Sequence, residues 1–248
     1  IKDTADYQDY QGPSLDCALN QLVIRLNSIG IKSAMIDGSM APFATIQKLK
    51  GRSPKLEITD GTSVLNSARL ILSDEEIGYV RAAVDVSDVG VGTFLEGARI
   101  GVAESTLAAR SSQAMADFAA QNYPEIETHI RCYSQQGLRT LEPHSGTGGQ
   151  PLKEGQLLQI VIEASAWHYL SAVERTIALG ELPAKHYAYF TTLVEAHEAA
   201  IEQVKPGAKC SAPHNAADEI FIRDGFGASP VGTGLQRGVV CEWEGRIL

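Results

Sequence analysis

Apolar residues recur at helical spacing across residues 14–30, at Leu15, Ala18, Leu22, Ile24 and Leu26, and Gly30 supplies a C-terminal stop signal. Ser33-Ala34-Met35-Ile36 reads as a short strand that runs into a turn at Asp37-Gly38. Residues 41–50 read as a helix, and Lys55-Leu56-Glu57-Ile58-Thr59 alternates like a strand before Asp60-Gly61. This alternation of helix and strand predicts part of a small α/β domain over residues 1–70.

The pattern changes after residue 70. Ser73 and Glu76 have the spacing of a capping box, and Ile77, Val80, Ala83 and Val84 supply the apolar face of a long helix behind it. A second helix is predicted over residues 105–121, closed by Asn122-Tyr123-Pro124. Residues 126–133 and 157–165 read as strands separated by the glycine-rich loop of residues 146–149, and the segment holding Tyr169 and Glu174 also reads as strand. Helix returns over residues 183–204, stops at Lys205-Pro206-Gly207, and resumes over 212–223 ahead of a glycine-rich segment at 225–238. Helices, then strands, then helices again predict an α+β class for residues 71–248.

Composition narrows the function classes. The 248 residues are 44% apolar and 21% charged, as in a globular protein, and no apolar run approaches the roughly 20 residues that span a bilayer. A formal charge of −9 without a basic stripe argues against nucleic acid as a partner. Cys17, Cys132, Cys210 and Cys241 are scattered, without the spacing of a zinc site or a disulfide framework, and are expected to be reduced thiols in a cytoplasmic protein. The N-terminus has neither a signal peptide's pattern nor a Met, so the chain is expected to begin partway through a longer gene product. Gly225-Phe226-Gly227 and Gly232-Thr233-Gly234 lack the G-K-[ST] of a phosphate loop, and His186, His197 and His214 lack H-E-x-x-H spacing.

Several motifs, in order, resemble the creatinase and aminopeptidase P group of pita-bread proteins. Ala68-Arg69-Leu70-Ile71-Leu72-Ser73-Asp74-Glu75-Glu76-Ile77 is similar to the group's R-x-I-K-S-x-x-E-I, with Leu72 in place of Lys. Gly101-Val102-Ala103-Glu104 resembles its G-x-x-E, and Val204-Lys205-Pro206-Gly207-Ala208-Lys209-Cys210 resembles creatinase's I-K-P-G-A-R-C. Tyr169-Leu170-Ser171-Ala172-Val173-Glu174-Arg175-Thr176 is similar to its Y-Y-T-A-L-E-R-T, and the 30 residues from His144 to Glu174 match the interval from the catalytic His to that Glu. Two features depart from the pattern: no M-x-x-x-E-P segment precedes Leu248, and the N-terminal domain is short, so the catalytic-type domain is expected to be incomplete at its C-terminus.

The resemblance implies a pita-bread domain over residues 71–248, a homodimer and a small-molecule substrate. Metal-dependent members hold two divalent ions with two Asp, one His and two Glu, because hard cations need anionic oxygens. Here Val161, Ala172 and Thr233 occupy the positions of both Asp and the His, which leaves Glu163 as a carboxylate near the first. No metal and no cofactor are expected. By the same resemblance, His144 is the acid/base group and Glu174 binds a cationic nitrogen, with His168, Tyr169 and Thr233 as further substrate contacts. An imidazole's ordinary pKa of about 6.5 suits both steps of proton transfer. The plainer alternatives are a solvated loop for His144, an ion pair with Arg175 for Glu174, strand packing for Tyr169 and a turn hydroxyl for Thr233. The expected activity is metal-independent hydrolysis of a C–N bond in a creatine-like or ectoine-like metabolite. A metal-dependent Xaa-Pro peptidase and an inactive peptide-binding module are the alternatives.

Overall fold

The computed structural model describes residues 14–142 and 144–227. Two compact units divide the chain, residues 1–72 and 73–248. The first contains α1 (Ser14–Ser28), β1 (Ser33–Ile36), α2 (Phe43–Arg52), β2 (Glu57–Asp60) and α3 (Thr62–Arg69). β1 and β2 pair in parallel, Ser33 opposite Glu57 and Ile36 opposite Asp60, with α2 as the crossover. The helix α3 is not foreseen in the sequence, where Asp60-Gly61 reads only as a strand-closing turn. The Asp60 carboxylate accepts from the Thr62 backbone N–H at 2.9 Å and from the Gly38 N–H at 3.2 Å, so the turn also starts a helix.

The second unit opens with α4 (Asp74–Gly97) and α5 (Glu104–Asn122). The capping box forms as expected: the Glu76 N–H donates to Ser73 Oγ at 3.3 Å, and the Ser73 N–H donates to Glu76 Oε2 at 2.6 Å. β3 (Thr128–Gln136), β4 (Gln156–Ala166) and β5 (Tyr169–Leu179) follow, joined in an antiparallel sheet in that order, and α6 (Ala184–Glu202) and α7 (Ser211–Arg223) come last. A 3-10 turn, Gly137–Leu141, follows β3. The sequence of helices, sheet and helices is the expected α+β arrangement.

The apolar side of the sheet determines where the core lies. Leu158, Ile160, Ile162 and Ala164 alternate onto one face of β4 and pack with Val86 and Phe94 of α4 and Leu107 and Met115 of α5. A methyl group on Gly90 would lie 2.9 Å from Ile162 Cγ2 and 2.9 Å from Met115 Cγ, both fully buried residues. The missing side chain therefore sets how closely α4 approaches the sheet. Gly90→Ala is expected to destabilise the protein by about 1–3 kcal/mol through overpacking, read as a lower urea midpoint at unchanged m-value. The α6–α7 pair has its own cluster of Ala196, Ala200, Ala217 and Phe221, and Arg223 makes two bonds to the Glu195 carboxylate at 2.5 and 2.7 Å. Among the described residues, no helix is long and apolar enough to cross a membrane.

Candidate functional site

The period of two along a strand gives the sheet a second face, opposite the helices. Register places Tyr133, Val161 and Glu174 in one row across β3, β4 and β5. Arg131, Glu163 and Ala172 form the neighbouring row, and Gln135, Gln159 and Thr176 the row on the other side. On the helix-facing side β4 is aliphatic, whereas this side is rich in charge, amide and hydroxyl groups. At about 4.8 Å per strand, the backbones of Tyr133 and Glu174 are about 10 Å apart, with Val161 between them and buried like Tyr133.

His144 reaches this face from the loop after β3. Its Nδ1 lies 3.0 Å from the Tyr133 hydroxyl, although the residue itself is exposed. His144 has φ 72°, a left-handed conformation uncommon for a non-glycine residue, so the loop must hold it there. Several bonds do so. Arg139 Nη2 donates to the Gly146 carbonyl at 2.6 Å, Gln135 Nε2 donates to the Ser145 carbonyl, and the Ser134 N–H donates to Thr147 Oγ1 at 3.1 Å. Arg139 is anchored in turn by Glu104, whose Oε2 lies 2.9 Å from Nη1 and whose side chain is fully buried in the first turn of α5. Gly148 lets the guanidinium lie close, since a methyl there would meet Nη1 at 2.5 Å. His144 is thus presented by a pinned loop, which goes beyond the plain solvated-loop alternative.

The other expected site residues divide. Glu174, half-buried, ends the row that starts beneath His144. Arg175 Nη1 donates to the Glu174 carbonyl at 2.7 Å, while strand alternation sends the two side chains to opposite faces. Tyr169 does not share Glu174's face, which corrects the expectation that it contacts the same substrate. The two stand five positions apart on the strand, an odd offset, so Tyr169 turns towards α4, where its hydroxyl donates to Glu76 Oε1 at 2.7 Å and its ring stacks on Tyr79 at 5.6 Å. That bond to the Glu76 carboxylate pushes the Tyr169 phenol up from its ordinary pKa. His168 sits in the β4–β5 turn at φ 68° and stacks on His129 at 5.7 Å. The length of strand between His168 and Glu174, about 20 Å, keeps it from the row of His144 and Glu174. Thr233 and Cys241 lie outside the described residues.

Three residues that position His144 escaped the sequence reading: Tyr133, Arg139 and Glu104. Glu104 is visible there only as the end of a G-x-x-E motif, without a role. Val161 and Ala172 carry no donor atoms, and among the described residues no three His, Cys, Asp or Glu side chains are grouped to hold a metal ion. The side chains at these two positions therefore do not fit a pair of divalent cations.

Residues 78–245 match the sequence pattern of metallopeptidase family M24. The chain belongs to family M24. Among its relatives in the family, a creatinase from Bacillus sp. (strain B-0618) is 28% identical over 195 residues, which are 78% of this chain and 47% of that protein. A Xaa-Pro dipeptidase from Pyrococcus horikoshii is 29% identical over 198 residues, 80% of this chain and 55% of the relative. The chain thus spans about half the length of the curated relatives it matches. Of solved M24 structures, the prolidase from P. horikoshii OT3 superposes with a TM-score of 0.72 at 25% identity, covering 83% of this chain and 58% of that one. An X-Pro aminopeptidase from Thermotoga maritima superposes at 0.69 with 16% identity, covering 92% of this chain and 60% of that one, a likeness of fold alone. The expected membership of the creatinase and aminopeptidase P group, and with it the pita-bread fold, is established.

Proposed function

We propose that this M24 member is a metal-independent hydrolase that cleaves a C–N bond of a small, nitrogen-rich, zwitterionic metabolite, creatine-like or ectoine-like. The observation that carries the reading is the row Tyr133–Val161–Glu174: it sets an imidazole and a carboxylate on one sheet face with an apolar residue where the family's first metal-binding Asp would stand. For a creatine-like guanidinium, His144 accepts a proton from water as its oxygen bonds to the central carbon. The imidazolium then gives that proton to the leaving nitrogen as the C–N bond breaks, and the remaining O–H proton passes to solvent, leaving an amine and a urea; an ectoine-like amidine gives an amine and an amide by the same steps. Glu174 holds the cationic nitrogens through charge-assisted bonds. The homodimer and the cytoplasmic location belong to the same reading.

The relatives named Xaa-Pro dipeptidases favour a second reading, metal-dependent cleavage of dipeptides. One assay separates the two: urea and amine release from guanidino compounds, amine release from linear and cyclic amidines, and proline release from Xaa-Pro dipeptides, each with EDTA and with Mn²⁺. Turnover of an amidine that EDTA leaves unchanged is the expected result. Dipeptide cleavage that appears only with Mn²⁺ would overturn it. If neither substrate class turns over, a peptide-binding module remains.

A further inference from the structure

We infer that Tyr133 is a positioning residue, its hydroxyl oxygen accepting a hydrogen bond from His144 Nδ1–H and so leaving Nε2 as the basic nitrogen. This rests on the reading of His144 as the acid/base group and adds the residue that fixes its tautomer. A neutral imidazole carries its proton on one nitrogen only, and the partner of the other nitrogen selects which. With Nδ1 facing Tyr133 at 3.0 Å, a donating phenol would place the ring proton on Nε2 and leave no base there. An accepting phenol serves both catalytic states: the neutral ring keeps its Nε2 lone pair for water, and the imidazolium keeps its Nδ1–H bond while Nε2–H faces the leaving group. A hydroxyl can accept through either protonation state because its own hydrogen rotates away.

The structure holds this phenol firmly. Tyr133 is 3% exposed, on the sheet rather than on the loop, so its oxygen has a fixed place. The Arg131 guanidinium lies 4.3 Å from the centre of its ring, and Arg131 is held by Glu163 at 3.3 Å. The ring is thus clamped between sheet and cation while the loop brings His144 to it. A carboxylate in the same place would also select Nδ1–H, but it would stabilise the imidazolium more strongly. A neutral phenol selects the tautomer with less bias towards the charged ring.

The test is to measure the ring nitrogen shifts of His144 by NMR in the full chain labelled at histidine, above the ordinary imidazole pKa of about 6.5, with His144→Asn to assign the signal. The wild type should show the Nδ1–H tautomer, and Tyr133→Phe, which keeps the ring and removes the oxygen, should lose that preference. A wild-type ring protonated at Nε2 overturns the inference even if Tyr133→Phe does not fold, and so does an unchanged Nδ1–H signal in a folded Tyr133→Phe. On a substrate that turns over, Tyr133→Phe should lower kcat by about 10- to 100-fold with little change in KM. The tautomer is read without turnover. A failure of the acid/base reading, shown by an active His144→Asn variant, is therefore distinct from a failure of this inference.

Discussion

Replacing His144 with Asn is expected to lower kcat by about 10²- to 10⁴-fold on whichever amidine the wild type hydrolyses, the range that one positioned acid/base group contributes. Asn suits the test because its short amide tolerates the left-handed conformation that His144 occupies at φ 72°. Its amide does not titrate, so any loss reports proton transfer rather than a rebuilt loop. Glu174→Gln should behave differently. It keeps the shape of the side chain and removes the charge, so it should raise KM by about 10- to 100-fold while kcat falls less, the mark of a group that binds the cation in ground and transition states alike. A His144→Asn protein with wild-type turnover would sink the acid/base assignment. An inactive wild type that binds a peptide as tightly as its His144→Asn variant would point to the binding module.

The sequence makes some of this legible because the relevant interactions are local. The capping box at Ser73 and Glu76 spans three residues, and apolar residues fill every second position of β4 from Leu158 to Ala164, so each can be read without knowing the fold. The helix α3 escapes that reading because its start depends on Asp60, which also bonds across to Gly38. The faces of Tyr169 and Glu174 are decided by parity along one strand, so their separation follows from sequence once both are placed on β5. Tyr133, Arg139 and Glu104 are different. They reach His144 through strand register and a loop that folds back to the start of α5, and neither leaves a periodic trace in the chain. The expectation about metal rests only on the identities of residues 161 and 172, together with the alignment that picks them out, so it can be formed without the fold.

The pinning of the His144 loop should be as costly to undo as its geometry implies. Glu104 is fully buried, and its Oε2 is bonded to Arg139 Nη1 at 2.9 Å. The first turn of α5 favours the carboxylate there, but a single charge-assisted bond supplies much of what water would otherwise give. Arg139→Met keeps most of the aliphatic stem and removes the guanidinium, leaving a buried charge without its cation. The expected loss is about 3 kcal/mol, near the low end for a broken buried pair because Arg139 is partly exposed. For a unit of this size that corresponds to a fall in Tm of about 6–12 °C, measurable by calorimetry. Adding Glu104→Met to Arg139→Met removes the stranded charge and should restore most of the lost stability, since apolar replacement of both partners is often close to neutral. Activity should not return with it. The Gly146 carbonyl loses its Arg139 donor in the double variant as in the single one, so His144 remains loosely held and kcat stays low. Recovery of both stability and kcat in the double variant would make the pair a purely structural bridge. Recovery of stability alone would mean that the buried pair, through the Gly146 carbonyl, holds the imidazole in place over the sheet.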